Sequence, residues 1–178
     1  MRDKQKKRLI LIVSIAAFVI IGALTTAWII HSRQYRNVAF YYPNFEIKKM
    51  SHENRSIFLK NQKNEFFESD MIEDYLLGPR SYDLRLPLPE DVDLKTAWVA
   101  RGGSTVTLVL DFNSEFSRFA GTDNDNCRWV IQGIIDTLQK NTRVQKLQIL
   151  VGEQQLSLTV GTWNLMHPIP VRPVSRKK

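Results

Sequence analysis

Between Thr105 and Leu138 the apolar residues change period from two to three and four, and this change does most to limit the fold. Val106, Leu108, Leu110 and Phe112 recur at every second position, so they fall on one face of a pleated strand, with Thr107 and Val109 on the other. Cys127, Val130, Ile131, Ile134, Ile135 and Leu138 then repeat at the spacing of a single helical face. A strand and a helix, each apolar on one side, have to cover one another. Gly121–Asn126 between them is loop chemistry, with Asp125 or Asn126 placed to cap the helix. The polar exit of the strand puts Asp111, Asn113 and Glu115 on a shared strand face.

Upstream, Val38–Pro43 reads as a strand that Pro43 ends, and Phe45–Leu59 as a weaker extended segment. Asn64 is placed to cap a helix over Glu65–Leu77, with Phe67, Met71, Ile72, Tyr75 and Leu76 on its apolar face and Gly78-Pro79 as its stop. Leu84–Pro89 reads as an irregular link. Leu94–Ala100 reads as a strand joined to the central one by a tight turn at Gly102-Gly103. Downstream, Val144–Val151 is a strand that turns at Gly152-Glu153 into a further strand over Leu156–Val160, and Gly161–Pro173 trails off as an edge segment. The expected fold is α+β, a two-layer sandwich of a mixed or antiparallel sheet with two amphipathic helices, preceded by one N-terminal transmembrane helix.

That last helix is Leu9–Ile30, twenty-two residues without a charge. At about 1.5 Å per residue it is roughly 33 Å long, enough to cross a bilayer core. Five basic residues precede it, and Trp28, His31 and Tyr35 cluster at its far end. The positive-inside rule then leaves the N-terminus cytoplasmic and the rest outside the cytoplasm. The rival is a cleaved signal peptide ending near Thr25-Thr26-Ala27, but signal apolar regions run about 7–15 residues and this one is longer. The expected organisation is a basic tail (1–8), an anchor in the lipid bilayer (9–30), a linker (31–37), one extracytoplasmic domain (38–173) and a second basic tail (174–178).

The net charge of +7 belongs to the ends. Asn37–Val171 holds fourteen Lys and Arg against seventeen Asp and Glu, so the domain lacks the positive field a nucleic-acid partner requires. The single cysteine, Cys127, has no partner for an intramolecular disulfide and sits where a small core residue belongs. His31, His52 and His167 stand apart from one another and from ligand-spaced carboxylates, and Asp123 and Asp125 lack the glycine and distant glutamate of a calcium loop. No catalytic, metal or cofactor residue is expected. The candidates for interaction are Asp111, Asn113 and Glu115 at the strand exit, Trp129 off the apolar stripe of its helix, and Trp163.

Three pieces of the chain in order, Leu76-Leu77-Gly78-Pro79, Leu108–Phe116, and Ile134–Leu138 with Val144–Gly152, resemble the GerMN domain, named from the spore germination protein GerM. The resemblance covers roughly Val38–Pro173. It implies a non-catalytic α/β module of the cell envelope, associated with assembly of sporulation or germination complexes and often held behind a lipid or membrane anchor. This chain differs from lipoprotein members in placing no lipid-acceptor cysteine after its apolar run. The expected function is a membrane-anchored extracytoplasmic interaction module with an envelope protein as partner; self-association is compatible with the sequence. The alternative is a small-ligand receptor or hydrolase using Asp111–Glu115.

Overall fold

The computed structural model describes residues 16–26, 28, 35–59 and 66–171. Of the expected anchor, residues 16–26 are helical and exposed, and residues 9–15, 27, 29 and 30 lie outside the described part, as does Asn64. Among the described residues no helix is long and apolar enough to cross a membrane.

The domain is α+β with a mixed sheet. β1 (Tyr35–Asn44) and β2 (Lys49–Phe58) form an antiparallel hairpin. Its turn is shaped by the Asn44 side-chain oxygen, which accepts the N–H groups of Glu46 and Ile47. α1 (Phe67–Leu76) follows and is stopped at Gly78, whose φ of 85° suits a residue without Cβ. β3 (Leu94–Gly102) and β4 (Thr105–Phe112) form the expected second hairpin across Gly103, with φ 59°. The chain then passes through α2 (Ser114–Thr122) and α3 (Asn124–Asn141) before β5 (Lys146–Val151) joins β4 in parallel.

α2 corrects the expectation of two helices. The segment after the central strand is helical at once, because Phe116, Phe119 and Ala120 at spacings of three and four can be buried only if the chain winds. The last strands are corrected too. β6 is only Gln154–Gln155, paired with Leu150 and Val151, because β9 (Ile169–Pro170) occupies the other half of that edge of β5 opposite Lys146 and Leu147. The chain over Leu156–Leu158 therefore leaves the sheet, and β7 (Thr159–Val160) pairs with β8 (Trp163–Asn164) instead.

The core lies where the two sequence periods meet. Leu108, Leu110 and Phe112 of β4 and Leu147 and Ile149 of β5 are buried with the α3 stripe from Cys127 to Leu138, and Phe112 stacks on Phe116 with ring centres 4.5 Å apart.

Pro43 does not end β1, which runs on to Asn44. The outer edge of β1 is closed by α3 in place of a third strand. Asn141 accepts the Ala39 N–H at 3.1 Å and donates to the Ala39 carbonyl at 2.8 Å, and Thr137 Oγ1 accepts the Tyr41 N–H at 3.0 Å. Two residues of strand rise about 6.6 Å and four of helix about 6 Å, so the two ladders stay in step. Further along this edge a Cβ at Gly133 would lie 2.6 Å from the Tyr41 carbonyl oxygen, and the Pro43 carbonyl accepts the Arg85 N–H at 3.1 Å while its nitrogen has no N–H to satisfy. Proline is tolerated here because, among the described residues, no strand pairs with this edge of β1.

Candidate interaction groove

A concavity of about 860 Å³ runs between the end of α1 and the segment 84–94. One wall is Leu76, Leu77, Gly78 and Pro79; the other includes Leu86, Leu88, Pro89 and Val92. Leu77 is 81% exposed, while Leu86 and Leu88 pack from the groove against the core. Glu73, Glu90 and Asp93 against Arg85 give the groove an acidic rim.

Both walls are held by polar ties that reach into the fold. Buried Arg55 of β2 lies over the Phe40 ring at 4.1 Å, pairs with Glu53 at 3.1 Å and Asp74 at 3.4 Å, and donates to Tyr42 Oη. Glu53 in turn accepts the backbone N–H groups of Arg80 and Ser81 just past the Leu76–Pro79 wall. Burial opposes its charge, but those N–H donors and the Arg55 cation outweigh burial and hold its carboxyl below the usual carboxylate range. Arg85 N–H to the Pro43 carbonyl and Asn44 to Asp83 fix the same loop to the hairpin. Tyr42 donates to the Tyr75 carbonyl and stacks on its ring at 4.6 Å, and burial raises both phenols.

The strand-exit residues do not share a strand face. Asp111, 4% exposed, accepts the Glu153 N–H at 2.9 Å and fastens the β5–β6 turn, where Gly152 and Glu153 both have positive φ. Asn113 lies beyond β4 as the residue before α2; it donates to the Asp91 carbonyl at 2.7 Å, and its N–H to the Asp93 carbonyl at 2.9 Å. It thereby holds the second wall of the groove. Glu115, in the first turn of α2, pairs with Arg118 at 2.6 Å, and Arg118 also pairs with Asp91. The alternation that joined these three in the sequence stops at Phe112.

Trp129 and Trp163 do meet. With Arg128, Gln132 and Thr162 they line a smaller cleft of about 310 Å³. Trp129 also contacts Phe45 of the hairpin turn edge-on at 6.3 Å, and Trp163 packs against the core, so both brace the fold as well as line the cleft. Burial and nearby Asp123 push the Cys127 thiol up to about 12. His52 stacks beside Tyr41 at 5.3 Å, His167 is exposed, and His31 lies outside the described residues. The groove itself escaped sequence reading. Its only local signal is the recurrence of Leu84, Leu86 and Leu88 in a proline-rich link.

A family model described as Germane, sporulation and spore germination, matches residues 39–157. The chain belongs to the Germane family. The match takes in most of the hairpin, both walls of the groove and the β4–α3–β5 unit. Among solved structures, the tandem GerMN domains of the sporulation protein GerM from Bacillus subtilis align at 18% identity over 78% of this chain and 44% of that one, with a TM-score of 0.50. The first GerMN domain of the same protein aligns at 14% identity over 76% and 92%, TM-score 0.44. A candidate lipoprotein from Clostridium perfringens aligns at 17% over 76% and 87%, TM-score 0.49. At these identities the likeness to the tandem GerMN domains concerns the Germane fold alone. No curated protein matches the chain.

Proposed function

We propose that this Germane protein is a non-enzymatic, membrane-anchored interaction module of the cell envelope, serving assembly of a sporulation- or germination-type complex. Residues 9–30 anchor it in the bilayer with the N-terminus cytoplasmic, and the domain that follows works outside the cytoplasm. Its binding element is the groove between α1 and segment 84–94. The observation that carries this reading is Leu77, 81% exposed on an apolar wall that polar ties hold open. An exposed apolar patch with a polar rim suits a protein partner. The acidic rim selects for its occupant a segment of an envelope protein with apolar side chains flanked by cations.

The test is site-specific photocrosslinking in native membranes. A crosslinker at Leu77 is expected to yield a discrete adduct with one extracytoplasmic protein, lost when Glu90 and Asp93 are both changed to Lys and absent when the crosslinker sits at Asp125. Capture of no envelope protein from Leu77, or the same proteins from both positions, refutes the proposal.

A further inference from the structure

Several elements meet at one end of the domain. β1 and α3 are antiparallel, since Ala39 meets Asn141 and Tyr41 meets Thr137. β5 begins just after α3 ends, and Lys146 pairs with Thr107, close to the turn that joins β3 and β4. β2 finishes at this end with Phe58 opposite Tyr35, and Val171 donates its N–H to the Gln145 carbonyl there.

Charge is sorted along this axis. The end where β1 begins carries exposed Arg36, Arg101, Lys140, Arg143 and Lys146. Against them stand Glu68 and buried Asp70 in the first turn of α1, which adjoins through the Arg36 guanidinium 3.9 Å over Phe67. The opposite end gathers Glu46, Asp91, Asp93, Glu115, Asp123, Asp125 and Glu153, with Lys48, Lys49, Lys95, Arg118 and Arg128 among them. Beside the five cations sit two aromatic rings, Tyr35 and Phe58, 43% and 53% exposed and packed edge to face at 5.6 Å.

We propose that this end is the membrane-facing surface of the domain, resting on an anionic bilayer through the five cations with the Tyr35–Phe58 pair at headgroup level. The inference rests on reading 9–30 as an anchor, and chain length then sets the geometry. Ile30 and Tyr35 are five residues apart, a reach of at most about 18 Å. The hairpin base is thus tethered next to the headgroups, where cations are attracted over a screening length of about 8 Å and amphipathic rings favour the interface. The acidic end is repelled by the same field. The groove, tied to Asn113 beyond the far end of β4, is thereby presented away from the bilayer.

The experiment uses the full chain in vesicles of phosphatidylcholine, alone or mixed with phosphatidylglycerol, each doped with a headgroup-nitroxide lipid. A fluorophore is placed at Ser104→Cys in the β3–β4 turn or at Asp125→Cys at the opposite end; buried Cys127 stays unlabelled in the folded protein. Quenching at position 104 is expected to rise with phosphatidylglycerol and to fall to the position-125 level in high salt or in K140E/R143E/K146E, whose folding is checked by near-UV circular dichroism. Equal quenching at the two positions, or quenching at 104 indifferent to lipid charge, salt and charge reversal, overturns the proposal. Flotation after alkaline carbonate extraction separates the two levels. A chain that stays with the lipid but fails the quenching test refutes the orientation alone, whereas a chain that is extracted refutes the anchor and the orientation with it.

Discussion

Replacing Gly133 by Ala should destabilise the protein, against the usual sign for a glycine in a helix. The new Cβ would lie 2.6 Å from the Tyr41 carbonyl oxygen and also meet Tyr75 Oη. Ordinary contact is about 3.5 Å, so α3 and β1 must part by about 1 Å. Overpacking of this kind costs about 1–3 kcal/mol. Parting the two elements also stretches the Thr137 and Asn141 bonds to β1, each contributing about 1 kcal/mol. The gain in helix propensity returns only about 1 kcal/mol. The expected net loss is about 2 kcal/mol, read as a lowered urea midpoint of the full chain in detergent micelles by tryptophan fluorescence. Gly121→Ala in the last turn of α2 is the control, since a Cβ added there would meet nothing within 4 Å. It should leave stability unchanged or raise it by up to about 1 kcal/mol. If Gly133→Ala is as stable as the parent, or more so, the close approach of helix and strand is wrong.

Arg55→Met should cost about 3 kcal/mol by leaving Glu53 and Asp74 without their cation, and adding Glu53→Gln should recover part of it in the same urea assay. The folded Glu53 carboxyl lies below its unfolded value, so its contribution is present above about pH 4.3 and is lost as pH falls through the folded pKa. Glu53→Gln should flatten the acid limb of a stability–pH curve. Asp136 has the opposite sign: burial raises its carboxyl although Gln132 donates to it at 2.7 Å, so Asp136→Asn should stabilise the fold at pH 7 and lose that advantage below about pH 3.9. The Cys127 thiol should react with a water-soluble disulfide reagent only as fast as the chain unfolds. Asp111→Ala with Glu115→Ala should cost about 1–2 kcal/mol through the lost Glu153 and Arg118 contacts and leave crosslinking at Leu77 unchanged; loss of the adduct in a folded double variant would return those residues to the site.

What the sequence disclosed follows from how local each signal is. β4 and α3 could be read directly because their periods recur over eight and eighteen residues, and each needs only a neighbour to cover it. α2 was hidden because its stripe of Phe116, Phe119 and Ala120 is short and follows a strand whose alternation runs on in the sequence as Asp111, Asn113 and Glu115. The edge of β5 was misread for a non-local reason, since the brevity of β6 is set by β9, fourteen residues later. The groove is the extreme case. Its walls are brought together by Glu53 reaching Arg80 and Ser81 and by Asn113 reaching Asp91 and Asp93, and no pattern within either wall encodes those ties. The meeting of Trp129 and Trp163 was likewise invisible, although each residue could be singled out alone.

The helix that closes the edge of β1 also sets a delay in biosynthesis. Thr137 and Asn141 follow their strand partners Tyr41 and Ala39 by 96 and 102 residues. At roughly 5–20 residues per second, the ribosome takes on the order of 5–20 s to supply them. During that interval the hairpin has all it needs to form except its third neighbour, and it presents unpaired backbone groups beside apolar rings, the kind of edge that recruits stray strands. The nascent chain is therefore most exposed to misassociation early, and its last protection arrives with α3.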